Sequence, residues 1–373
     1  MKKILVLSML LLALSLVLIG CQGQQEAAAP AEAEPAQEEV ATELHIYNWS
    51  EYIDPEVYTA FEEEYGIKVI EDTFSSNEEL LAKIQAGAAG YDLIVPSDYM
   101  VEIMIAEGLV AELNHANVPN IANLSALFSD PPFDPGLTYC VPYQWGTTGI
   151  GYNSEVFEDA PASWAYIFDP VMAAEYEGKI TMLNDSRESI GAALKYLGYS
   201  LNTTNEAELE EAKELLIQTK PFIFSYDSDQ FEDLIAANEV VIGHGWSGDY
   251  FMAAVDDERI WYVIPEEGGV VWADNLCIPL TSKNQDAAEL FINYILQPEI
   301  AAQITNFTWY GSPVEAANEF IDPEILEEPA IYPSAETMER LEWIQDVGDA
   351  TPLYERIWTE VKEIGRASCR ERV

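Results

Sequence analysis

Between Thr42 and Val95 the hydrophobic period switches back and forth between two and about 3.6 residues, and this alternation restricts the fold more than any other feature. Thr42 to Tyr47 alternates like a strand, Pro55 to Tyr65 has helical spacing, and Lys68 to Thr73 alternates again. Asn77 to Ala86 predicts a second helix opened by an Asn cap, and Tyr91 to Val95 a short buried strand. Strands separated by helices pair in parallel, because the crossover helix carries the chain back to the same edge of the sheet. The expected class is α/β, with a largely parallel sheet covered by helices.

The pattern recurs downstream. Ala192 to Leu197 and Glu206 to Gln218 read as helices, Val240 to Gly243 and Trp261 to Ile264 as strands, and Asp286 to Leu296 as a helix behind Asn284. Two stretches differ: Trp145 to Gly151 and Gly268 to Asp274 mix glycine with β-branched residues, which suits strands that bend. They are expected to cross between two lobes. Residues 42–146 and 274–320 then form the first lobe, and 147–273 with 321–365 the second. A ligand site is expected in the cleft between them.

The two ends read differently from this core. Lys2 and Lys3 lead an apolar run from Ile4 to Ile19, the layout of a secretory signal over residues 1–20 rather than of a spanning helix. The run closes on Leu18-Ile19-Gly20-Cys21, which resembles the lipobox of bacterial lipoproteins, so Cys21 is the expected lipidation site. Residues 22–41 are Gln, Glu, Ala and Pro without apolar periodicity, the composition of a flexible tether. A coil of about twenty residues spans roughly 25 Å, enough to stand a domain off a bilayer. The expected location is the cell envelope, lipid-anchored on the periplasmic or extracellular face. Residues 366–373 concentrate arginine in a chain otherwise short of base and read as a segment foreign to the protein.

With 66 Asp and Glu against 17 Lys and Arg, the formal charge is −49, which repels nucleic-acid phosphates and anionic headgroups. No nucleic-acid partner is expected. The same acidity suits a cationic small ligand, although a merely soluble exported protein carries it too. Cys140 and Cys277 are the cysteines of the globular part, and a disulfide or two buried thiols both fit the sequence. His45, His115 and His244 are isolated, and no hydrolase, kinase or metal motif is present. No catalytic residue, metal site or cofactor is expected, and His244 draws notice only for lying close to Trp246.

What the sequence repeats is a tryptophan beside a carboxylate after an apolar run: Trp49-Ser50-Glu51-Tyr52, Trp246-Ser247-Gly248-Asp249 and Trp272-Ala273-Asp274, with further acids in Asp185-Ser186-Arg187-Glu188. Aromatic faces attract both alkylammonium groups and methylenes, each cation–π contact contributing roughly 0.5 to 2 kcal/mol, while carboxylates fix the charged ends.

From Leu44 to about Lys362 the chain resembles the bacterial spermidine/putrescine-binding proteins, the substrate-binding subunits of polyamine ABC transporters. The resemblance is carried by Tyr47-Asn-Trp-Ser-Glu-Tyr52, Gly66-Ile-Lys-Val69, Tyr91-Asp-Leu-Ile-Val-Pro-Ser97, the segment Pro142 to Asn153, Pro265-Glu-Glu-Gly-Gly269 and the segment Trp343 to Gly348. It implies the two-lobe periplasmic-binding-protein fold of type II, each lobe a mixed sheet flanked by helices and joined to the other by hinge strands. It also implies a monomer that captures a polyamine and delivers it to ABC permease subunits. Trp49, Tyr52, Tyr99, Trp246 and Trp272 would box the methylene chain. Asp185, Glu188 and Asp274 would hold ammonium groups, with Ser50, Glu51, Ser97 and Tyr310 at the polar rim. Asp249 matches a carboxylate of putrescine-preferring members, whereas Trp272-Ala-Asp274 is closer to spermidine-preferring ones. Ile344 follows Trp343 where spermidine binders carry glutamine, and Gln345 comes one position later. Three other readings stay open on the residues alone: a protein of the same fold for another solute or a metal, an exported glycoside hydrolase using Asp185 and Glu188 as acid and base, and a sensor that hands its ligand state to a receptor.

Overall fold

The computed structural model describes residues 41–87 and 90–370. The expected leader, Cys21, the tether up to residue 40 and the last three residues of the tail lie outside them. Among the described residues the strands are β1 (Glu43–Trp49), β2 (Lys68–Phe74), β3 (Leu93–Ile94), β4 (Cys140–Asn153), β5 (Ile180–Met182), β6 (Ile223–Tyr226), β7 (Ile242–Trp246), β8 (Ile260–Val263), β9 (Val270–Cys277) and β10 (Glu342–Trp343). Their order is β2-β1-β3-β9-β4-β7-β5-β6, with β8 beside β4 and β10 beside β9.

Two parallel blocks are joined by an antiparallel seam. β1 is parallel to β2 and β3, and β5 is parallel to β6 and β7. Between the blocks β9 runs antiparallel to β3 and β4, and β4 antiparallel to β7. β4 makes the join: Cys140 to Thr147 pairs with β9, then Thr148 to Tyr152 pairs with β7. All fourteen of its residues are buried. Each block has its own hydrophobic packing, one around Leu44, Phe61 and Phe291, the other around Trp164, Ile180 and Leu216. The expected α/β class therefore holds, as a mixed sheet in two lobes.

Local signals set the helix boundaries. Pro55–Tyr65 starts on Asp54, whose side chain accepts the Glu56 N–H at 2.9 Å, and stops at Gly66, whose φ of 70° a residue with a Cβ adopts only under strain. Its apolar face lays Phe61 edge-on against Phe291 at 5.0 Å, a fully buried ring whose loss typically costs about 3–5 kcal/mol. The next helix, Asn77–Gln85, is capped by Ser76 rather than by the expected Asn77. Both types cap well, and here Asn77 is engaged elsewhere: its side chain donates to Ser97 Oγ at 2.9 Å and accepts from Ser97 N at 3.0 Å. The helix expected from Ala192 begins earlier, as Ser186–Tyr196, because Asp185 caps it and the interior Gly191 interrupts the period. Thr351–Arg370 runs on into the segment read as foreign. No helix among the described residues is long and apolar enough to cross a membrane.

Cys140 and Cys277 stand opposite each other in the β4–β9 ladder, 4.5 Å apart at Cα, and form a disulfide. The bond closes a loop of 137 positions, for which the chain-entropy model gives a stabilisation of roughly 5 kcal/mol. Both sulfurs are buried. Reductant added to the native protein is therefore expected to leave the bond intact, whereas reduction in denaturant followed by refolding lowers the urea midpoint. An unchanged midpoint for the reduced protein would contradict a stabilising bond.

Candidate functional site

The carboxyl ends of parallel strands are where α/β sheets open toward ligands, and this chain loads those ends with rings and acids. β1 ends at Trp49, β3 leads to Ser97 and Tyr99, β5 to Asp185 and Glu188, and β7 ends at Trp246, followed by Asp249. These segments from both lobes converge on one cavity. Trp272 and Asp274 project from within β9, the strand expected over Gly268 to Asp274, rather than from a strand's end. All the residues expected at the site line this cavity: Trp49, Ser50, Glu51, Tyr52, Ser97, Tyr99, Asp185, Glu188, Trp246, Asp249, Trp272, Asp274 and Tyr310. β4 passes close by at Gly146, where a Cβ would stand 2.8 Å from the Trp272 ring and 2.9 Å from that of Tyr310.

Hydrogen bonds fix the acids. Asp274 accepts from Tyr52 Oη at 2.7 Å and from Ser97 Oγ at 2.6 Å. Glu188 Oε1 accepts from Thr148 Oγ1 at 3.0 Å and Trp246 Nε1 at 3.3 Å, and Asp249 accepts from Tyr310 Oη at 2.6 Å. Asp185 caps its helix, one oxygen accepting the N–H groups of Arg187 and Glu188 at 2.9 and 3.0 Å. Asp98 opens the helix Asp98–Ala106, and Asp249 lies in the first turn of Ser247–Asp256. Helix starts favour negative charge; here the chain's own carboxylates fill that role and turn anion-favouring ends into an acidic wall.

The rings pack edge-on: Trp49 meets Trp246 across the lobes at 5.8 Å, and Tyr310 meets Trp272 at 5.1 Å and Tyr52 at 5.4 Å. Trp49 is oriented by its indole N–H, which donates to the Val95 carbonyl at 3.0 Å. Eight carboxylic side chains and eight aromatic rings line the cavity, with no Lys, Arg or His among the lining residues. Arg187, the nearby base, donates to the Gln345 carbonyl and to Asn202 Oδ1, both at 3.0 Å, and lies over the ring of Tyr354. The acids are spread round the cavity: among the described residues no group of three His, Cys, Asp or Glu is arranged to hold a metal ion.

Residues 56–333 match the family model described as bacterial extracellular solute-binding protein. The chain belongs to that family. A spermidine/putrescine-binding periplasmic protein of Salmonella typhimurium is 38% identical over 321 residues, 86% of this chain and 91% of the relative. A putrescine/cadaverine-binding protein of Pseudomonas aeruginosa is 35% identical over 337 residues, 88% and 95% of the two chains. Among solved structures, a Listeria monocytogenes chain assigned to a spermidine/putrescine ABC transporter superposes with a TM-score of 0.82 at 38% identity, covering 86% of this chain and 99% of its own. A Treponema pallidum lipoprotein gives 0.74 at 31% identity, covering 86% and 99%.

Sequence reasoning missed part of this solute-binding protein's cavity. Asp98 was within reach, lying between two residues that were singled out. Phe74 ends β2, and Ser75 and Asn77 follow it; Ile344, singled out in the sequence for the glutamine it replaces, does line the cavity and offers it no polar side-chain atom. Ser228, Asp229, Phe231 and Glu232 come from a loop and the short helix Phe231–Ala236, far in sequence from any tryptophan–acid set. His244 lies outside the lining. It is fully buried beside Trp164, and desolvation pushes it down to about 3, so it stays neutral.

Burial dominates the acids of the binding protein. Desolvation pushes Asp274 and Asp249 up to about 7, and desolvation reinforced by the Asp185 carboxylate pushes Glu188 up to about 8. Hydrogen bonds to Ser97, Tyr52, Tyr310, Trp246 and Thr148 oppose the rise without cancelling it. These groups bind more protons folded than unfolded from about pH 4 to pH 8, so the stability of the empty protein falls as pH rises through that window. Thermal melts between pH 5 and 8 are expected to show the decline, and Glu188→Gln to flatten it. A melting temperature that rises with pH, or an unchanged slope in the variant, would contradict the assignment.

Proposed function

We propose that this chain is an extracytoplasmic lipoprotein that captures a polyamine, putrescine or spermidine, between its lobes and delivers it to an ABC permease. One observation carries the reading: a single cavity lined by eight carboxylic side chains and eight aromatic rings, with no basic side chain in the lining. An anion would meet eight carboxylic side chains and no base in the lining, and a point ion would find no converging ligand set among the described residues. A flexible dication or trication fits both halves of the lining, its ammonium groups against Asp274, Glu188 and Asp249 and its methylenes between the rings of Trp49, Tyr52, Tyr99, Trp246 and Trp272. The names of the Salmonella and Pseudomonas relatives support the same ligand class.

The energetics are sufficient. At the upper ends of their ranges, three charge-assisted hydrogen bonds at about 3 kcal/mol each and three cation–π contacts at about 2 kcal/mol each leave more than the roughly 8 kcal/mol of micromolar binding after an ordering cost of about 4 kcal/mol. Rotation of the lobes about β4 and β9, near residues 146/147 and 273/274, would bury the ligand, and the closed form would be what the permease recognises. Diacylglycerol on Cys21 and the tether behind it would hold the protein at the membrane, in keeping with the Treponema relative being a lipoprotein.

Calorimetric titration with putrescine, spermidine and spermine tests the reading. Asp274→Asn is expected to weaken all three by about 10- to 100-fold, the loss of one charge-assisted bond, and Asp249→Asn to weaken mainly putrescine. X-ray scattering of the same samples is expected to show a smaller radius with ligand. Wild-type affinity in both variants, or no binding by the parent, would remove the proposal.

A further inference from the structure

Deepening the polyamine reading and resting on it, we infer that Glu232 is a specificity-determining residue that forms, with Asp249, a second anionic pole for the far ammonium group of an α,ω-diamine. Seven of the eight cavity acids fall into two groups, with Asp229 apart from both, near Asp227 and Glu79. Asp274 shares its surroundings with Asp98, and Glu188 with Asp185 and Asp98. Asp249 and Glu51 are instead the carboxylates that bear on Glu232, together with its neighbour Asp233. Tyr310 separates the groups. Its hydroxyl is held by Asp249, while its ring packs against Trp272 and against Tyr52, whose own hydroxyl is held by Asp274.

Glu232 is an unusual lining residue. It is 7% exposed, and its Oε2 is buried without a hydrogen-bond partner. The adjacent Phe231 packs edge-on against Trp246 at 5.7 Å, which fixes the short helix against the cavity wall. A carboxyl group buried without a partner keeps its proton until something positive meets it: burial, reinforced by the Asp249 carboxylate, pushes Glu232 up to about 9, and no base lines the cavity. A monoamine displaces protons at one pole and leaves the other protonated; a diamine replaces the protons at both with ammonium groups. The pair Glu232 and Asp249 therefore rewards a second charge at the far end of the ligand, which a purely structural acid would not do.

The test compares putrescine with 1-aminobutane, which has the same carbon chain and one charge fewer, by competition titration. In the wild type putrescine is expected to bind more tightly. Glu232→Gln, which keeps the shape and removes the charge, is expected to weaken putrescine by about 10- to 100-fold while changing 1-aminobutane less than threefold. Glu232→Asp, retaining the charge on a shorter stem, is expected to keep more of the preference than Glu232→Gln, so the comparison survives if one variant folds poorly. An unchanged preference in Glu232→Gln, or equal loss for both amines, would overturn the inference while leaving the polyamine reading standing. A wild type that binds no polyamine would overturn both.

Discussion

A carboxylate taken out of water must meet a positive charge or take up a proton, and the centre of this molecule is organised around that requirement. Asp98, Asp185, Glu188 and Asp274 are each at most 5% exposed; Arg187 attracts Asp98 and Asp185 through space but spends its hydrogen bonds on the Gln345 carbonyl and Asn202 and stacks between Tyr99 and Tyr354. Hydroxyls, an indole N–H and helix-start amides hold part of the charge, while oxygens of Asp98, Glu188 and Glu232 are left with no partner. Such a cavity is a poor home for an anion or for nothing at all, and a good one for an organic cation. The aromatic rings complete the selection, since their faces accept both the charge and the hydrocarbon that joins the charges.

The fold supplies the means of gathering these acids from distant parts of the chain. Parallel strands present their carboxyl ends on one side, so β1, β3, β5 and β7 each deliver a segment to the same place. The β4–β9 pair runs between the blocks and contributes Trp272 and Asp274 from within the ladder. Its far end is tied by the Cys140–Cys277 disulfide, which anchors the pair within the first lobe, and only beyond Thr147 does β4 take up its new partner. A join built from two strands can bend without breaking a lobe's own packing, as the proposed closure on a ligand requires.

Much of this was legible in the sequence, for identifiable reasons. The α/β alternation was visible because the strands are short and their helices strongly periodic, and Pro55 to Tyr65 was read to the residue because Asp54, Pro55 and Gly66 mark both ends. The tryptophan–acid sets stood out because they follow apolar runs, and the family resemblance supplied Ser97, Tyr99 and Tyr310, which no local pattern marks. The disulfide stayed open, since spacing along the chain says nothing of distance across a ladder. Asn77 was misread as a cap because Ser76 offers the same chemistry one residue earlier. Glu232 left no trace: an acid in a chain with 66 of them becomes notable only when burial and the lack of a partner are seen together.

The account stands or falls on what neutralises the buried acids when the cavity fills. If protons do so in the empty protein and ammonium groups replace them on binding, putrescine must expel protons. Titration at pH 6.5 in buffers of different ionisation enthalpy counts them directly. The account predicts release of at least one proton per putrescine bound, declining toward pH 9 as the acids lose their protons without help. Binding with no proton exchange, or with proton uptake, would contradict it.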